Sequence, residues 1–115
     1  MTSTSNDTLR DSTDSARHLW MHYARPRPHW YTLDETRQKG LNVTWHEIRS
    51  QAKQQGAVFQ GRFHIRGQHD FETVDIWRFP SSQHAYDHWQ ALVNAGYSEY
   101  FAFSNSLGLD TGETA

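Results

Sequence analysis

Between Gly56 and Pro80 apolar and polar positions alternate on both sides of Gly67-Gln68-His69-Asp70. β-branched and aromatic residues crowd the two arms, and turn formers separate them. The pattern predicts an antiparallel hairpin, with strands at about Ala57–Arg66 and Phe71–Phe79. Upstream, Leu19, Met21 and Tyr23 alternate with His18, Trp20 and His22. This period of two predicts a first strand over Arg17–Tyr23 with two different faces. Arg25-Pro26-Arg27-Pro28 ends it, because proline removes ladder donors and biases its predecessor away from helix. Downstream, Tyr97, Glu99, Phe101 and Phe103 alternate with Ser98, Tyr100 and Ala102, which predicts a last strand over Tyr97–Phe103.

Two helical patterns flank the hairpin. Leu41, Trp45, Ile48 and Ala52 recur at spacings of four, three and four, a single apolar stripe. Thr32-Leu33-Asp34-Glu35 has the form of a capping box, and Gly56 stands where a helix ends. Gly40 predicts a break or kink near Lys39–Asn42. The second helix starts at Pro80-Ser81-Ser82 with a serine N-cap, buries Ala85, Trp89, Leu92 and Val93, and ends at Gly96. The order is therefore βαββαβ. Two split units of this kind give an α+β ferredoxin-like sheet with both helices on one face. The other face keeps large apolar residues and calls for a partner.

Composition narrows the setting. The chain has 115 residues, the size of one domain. Residues 1–16 are almost all polar and read as a disordered tail. Residues 17–105 form the domain, and residues 106–115 are a second, small-residue tail. A formal net charge of -2 argues against a nucleic-acid or anionic-membrane partner. The absence of cysteine removes disulfides, a thiolate nucleophile and cysteine metal sites. No apolar run approaches the roughly 20 residues of a membrane span, so a cytoplasmic protein is the default expectation. Five tryptophans and eight histidines stand out in so short a chain.

Those residues carry the candidate chemistry. His22, His64 and Asp75 each fall mid-strand on a different predicted strand, and the third strand of such a sheet neighbours the first and second. A histidine beside a carboxylate can serve as a general base on a phenolic or enolic substrate. The structural alternative is an ion pair of Asp75 with an arginine such as Arg62. Trp20, Trp30, Trp77 and Tyr100 can wall an aromatic-substrate pocket, or simply pack the core. His84 and His88 stand four apart on the second helix, a spacing that can hold a metal. No third ligand is evident, and both lie off the apolar stripe, so the expectation is a solvated surface and no metal site.

Arg27-Pro28-His29-Trp30, Trp77-Arg78-Phe79-Pro80 and Gly96-Tyr97-Ser98-Glu99-Tyr100-Phe101, running on to Asn105, together resemble an uncharacterised bacterial family of the dimeric α/β-barrel superfamily. The resemblance spans about Arg17 to Asn105. It implies a ferredoxin-like protomer whose open sheet packs on that of a second protomer, a homodimer. The superfamily includes cofactor-independent monooxygenases, muconolactone-type isomerases, haem-handling enzymes and small stress-responsive barrels. The leading expectation is a small-molecule enzyme of the cofactor-independent monooxygenase or isomerase type, using no cofactor. The alternative is a non-catalytic small-molecule-binding or stress-response barrel.

Overall fold

The computed structural model describes residues 16–67 and 69–113. The tail expected over residues 1–16 lies outside them except for Ala16, and so do Gln68 of the hairpin turn and the last two residues of the chain. Four strands form one antiparallel sheet: β1 (His18–Pro26), β2 (Val58–His64), β3 (Thr73–Phe79) and β4 (Phe101–Leu109), in the order β2-β3-β1-β4. Two long helices, α1 (Glu35–Gln54) and α2 (Ser82–Asn94), cover one face. This is the α+β ferredoxin-like arrangement that the alternation and the two helical stripes predict.

The two-residue period sorts β1 as expected. Trp20, His22 and Ala24 are buried towards the helices, while Leu19, Met21 and Tyr23 are half-buried on the open face. Trp20 lies opposite Trp77, and His22 opposite Asp75. Trp45, Trp77, Phe79 and Leu92 are each only 1% exposed and form the centre of the core. Burying side chains of this size stabilises the fold by about 1.5–3 kcal/mol apiece. The one polar atom that Trp45 brings inside is satisfied, because its indole N–H donates to Ala95 O at 3.0 Å.

Local details differ from the sequence pattern at four places. Asp34, not Thr32, caps α1, accepting from the Arg37 amide at 2.7 Å, while the Thr32 hydroxyl turns back to His29 O. The segment before it, Pro28–Thr32, is a 3-10 turn. α1 runs unbroken past Gly40, since the remaining stripe supplies enough packing to hold one glycine in helix. The chain after Gly96 makes a helical turn, α3 (Tyr97–Tyr100), before β4 begins. β4 then continues to Leu109, four strand residues beyond Asn105, because β1 offers it an unbroken ladder from His18 to Pro26.

One irregularity positions a functional group. Phe59 pairs with Trp77 but Gly61 with Ile76, so Gln60 is an extra residue in β2. A one-residue slip turns every later side chain to the other face. The bulge thereby places Arg62 opposite Asp75, on the helix-covered side. Gly61 sits at φ 140°, and a Cβ there would meet the Phe63 ring at 3.0 Å, so glycine suits the bulge on both counts.

Candidate active site

His22 is 2% exposed in the middle of β1. A polar ring so deep needs partners for both nitrogens. Its Nδ1 lies 2.6 Å from Asn105 Oδ1, contributed by the facing residue of β4. Its Nε2 lies 2.8 Å from the Tyr97 hydroxyl, which α3 directs back under the sheet. A carboxamide oxygen only accepts, so Nδ1 carries the proton, and Nε2 is left to accept from Tyr97. Trp20 stacks on the imidazole at 5.1 Å and Trp89 lies at 5.4 Å, fixing its plane. Burial lowers the His22 pKa below its ordinary 6.5, against the opposing pull of the Asn105 bond and the Asp75 charge. Burial likewise raises the Tyr97 pKa. The result is a neutral, oriented base with a neutral phenol on its free lone pair.

Asp75 is 3% exposed across the ladder from His22, but its hydrogen bonds go elsewhere. Arg62 takes both carboxylate oxygens, Nε to Oδ1 at 2.6 Å and Nη2 to Oδ2 at 3.0 Å. The pair keeps Arg62 firmly charged. His64 is exposed at the end of β2, opposite Thr73. Of the three residues grouped by sequence, His22 and Asp75 therefore share one face at one register position, and His64 stands apart. Asn105 takes the orienting place that a carboxylate would have filled. Trp20, Trp30 and Trp77 are buried in the core cluster, with Tyr100 packed against it, and none of the four lines either cavity described below.

A cavity of 170 Å³ opens between α1 and the sheet. Asn42 and Arg49 of α1, Arg62, Thr73 and Asp75 of the sheet, and Tyr97 contribute to its wall. Tyr97 thus connects the cavity to His22. Neither Tyr97 nor Asn105 is marked by sequence as functional. Tyr97 falls within the expected last strand and Asn105 just beyond it, and the turn α3 brings the one to His22 while the pairing of β4 with β1 brings the other.

A second cavity, of 290 Å³, lies between α1 and α2 above Phe79, with His84, Asp87 and His88 along one wall. His84 is exposed, as expected from its place off the stripe, but His88 is 5% exposed. Trp20, Trp77 and Phe79 surround His88 at 5.5, 5.1 and 5.5 Å. That corrects the expectation of a solvated pair: the helix tilts its His88 edge into the aromatic cluster. Among the described residues neither ring nitrogen of His88 has a hydrogen-bond partner. Among the described residues no group of three or more histidine, aspartate or glutamate side chains is placed to hold a metal ion. Nor is any described helix long and apolar enough to cross a membrane.

No family model and no curated protein matches the chain. Solved structures do match. Chlorite dismutase from Candidatus Nitrospira defluvii in complex with imidazole aligns over 93% of this chain and 47% of its own, with TM-score 0.67 and 13% identity. The W146Y R173Q mutant of that enzyme aligns over 89% and 46%, with TM-score 0.67 and 12% identity. TA0507, named as a chlorite dismutase, aligns over 90% and 46%, with TM-score 0.62 and 21% identity. The chain spans about half the length of the solved chains it matches. What it shares with them is the fold: a ferredoxin-like sheet of four antiparallel strands with its helices on one side.

Proposed function

We propose that the protein is a small-molecule enzyme of the isomerase type, moving a proton on an enolic or aromatic substrate held in the 170 Å³ cavity. The observation that carries this reading is the hydrogen-bonded chain Asn105–His22–Tyr97, which ends on the cavity wall. The substrate gives an acidic proton to the Tyr97 oxygen as the Tyr97 proton passes to His22 Nε2. The imidazolium so formed keeps its Nδ1–H on Asn105. Return of a proton through Tyr97 to a different substrate atom completes the isomerisation, with no change of oxidation state. The same deprotonation is also the first step of a cofactor-independent oxygenation, in which dioxygen would be the co-reactant. Tyr97 is the catalytic residue here, and His22 is a positioning residue that acts through it.

Ketonisation of phenylpyruvate enol, followed by its ultraviolet absorbance, tests the reading. The protein should accelerate it, and Tyr97→Phe should lose about a hundredfold or more of that acceleration. His22→Gln should lose the acceleration and also flatten its pH profile. No acceleration by the parent, or an undiminished rate in Tyr97→Phe, refutes proton transfer through this chain.

A binding role is the second reading, favoured by the unpartnered nitrogens of His88 beside the larger cavity. Haem is the group that the resemblance implies for such an imidazole. The donor is chemically suitable, but its nitrogens are enclosed by Trp20, Trp77 and Phe79. The 290 Å³ cavity also falls short of the roughly 300–1,000 Å³ that drug-sized ligands occupy, and haem is bulkier than most of these. The group does not fit the site as built.

For the assembly, we propose a homodimer through the open sheet face. Leu19, Met21, Tyr23 and Ile76 lie on it, with Val58 47% and Phe63 50% exposed. A second copy would cover what the helices leave bare.

A further inference from the structure

We propose that Arg49 is an anion-binding residue of the 170 Å³ cavity, and that the ligand there carries a single carboxylate. The inference rests on that cavity being a small-molecule site, but not on proton transfer within it.

Charge in the cavity does not balance. Its lining holds three guanidinium groups, Arg25, Arg49 and Arg62, against two carboxylates, Glu72 and Asp75. Asp75 is committed to Arg62 through both oxygens. Glu72 is exposed. Arg49 is half-buried on α1, and among the described residues it has no carboxylate within 4.0 Å and donates no hydrogen bond. The nearest compensation is the Tyr97 ring, 5.9 Å from the guanidinium carbon. Burial lowers the Arg49 pKa, which expresses the same deficit.

An arginine presents five donors in a planar fork that matches a carboxylate, and a partly desolvated one left without an acceptor is costly. The cavity supplies room for the missing acceptor. Its 170 Å³ equals roughly six water volumes at about 30 Å³ each, enough for a small acid. Asn42, seven residues before Arg49 and so on the same side of α1, lines the cavity too and adds a neutral donor. The net surplus is one positive charge and Arg25 already donates to Asp70 O, so the flat fork of Arg49 selects a monocarboxylate over a phosphate. Because Arg49 lies over Tyr97, the bound acid is set beside the group proposed to exchange its proton.

Calorimetric titration with benzoate, its neutral isostere benzamide, and inorganic phosphate tests this. Benzoate should bind at least about tenfold tighter than benzamide or phosphate, and Arg49→Gln should remove that preference. Benzoate has no exchangeable carbon-bound proton, so the titration reads binding alone and separates this claim from the proton relay. Arg49→Gln should also melt at or above the parent's temperature without ligand, since it removes a half-buried cation that has no carboxylate partner among the described residues. Equal binding of benzoate and benzamide, tighter binding of phosphate, no binding of benzoate, or full benzoate affinity in Arg49→Gln would each overturn the assignment. A fall in the melting temperature of ligand-free Arg49→Gln would do the same, because it would give Arg49 a structural task.

Discussion

The buried histidines show how environment separates residues of one type. His22 has an acceptor on one nitrogen and a donor on the other, so burial costs it little as a neutral ring. Among the described residues His88 has neither, and burial, helped by the charge of Arg49, pushes its pKa down to about 4. In the unfolded chain the same ring titrates at 6.5. Between these values the unfolded state binds a proton that the native state refuses, so stability rises with pH across the window. The contribution is complete above 6.5 and is lost as pH falls towards about 4, a total of about 3 kcal/mol. Urea unfolding at pH 7 and pH 4.5 should show it. His88→Phe, which keeps the aromatic packing, should shrink the difference between the two pH values by about 2 kcal/mol. An unchanged difference would mean that His88 gains a partner or solvent in solution.

Among the elements, β2 has the most consequential detail. Its bulge at Gln60 and Gly61 decides which way Arg62 points, and so whether Asp75 is paired. Arg62→Leu should leave Asp75 buried without its ion-pair partner. The expected loss is about 3 kcal/mol or more in chemical denaturation, recovered in part by adding Asp75→Val. Full stability in Arg62→Leu would show that Asp75 does not depend on this pair. These details mark the limit of what the chain pattern reveals. The stripe Leu41, Trp45, Ile48, Ala52 and the alternation around His22 and Asp75 are properties of single elements, readable in order along the sequence. The bulge is not, because one inserted residue leaves a run of strand formers looking continuous. The turn Tyr97–Tyr100 escapes for a related reason: four residues cannot distinguish a helical period from a two-residue one. His88 is hidden because its burial depends on where Trp20 and Trp77 stand.

At the scale of the whole molecule, the helices cover one face of the sheet and leave the other to be explained. The residues lying there, Met21 and Ile76 at its centre, are those that alternation assigns opposite the buried Trp20, His22 and Trp77. Light scattering should give a dimer at micromolar concentration, and Ile76→Glu should give a folded monomer, because a charge on each copy must be desolvated at the contact. A monomeric parent would remove the homodimer from the account. The proposed site lies on the opposite side of the sheet, in the cavity between it and α1. Monomerisation should therefore leave benzoate binding within about threefold of the parent, less than the 1.4 kcal/mol that a tenfold change represents.

The most direct test of the account is the protonation state of His22 inside the folded protein. Long-range nitrogen–proton correlation spectra of uniformly labelled protein distinguish the two neutral tautomers and the imidazolium. At pH 7 His22 should be neutral with its proton on Nδ1, should titrate below 6.5, and should keep this tautomer in Tyr97→Phe. An Nε2–H tautomer, or an imidazolium at pH 7, would contradict the chain from Asn105 through His22 to Tyr97 and the proton transfer built on it.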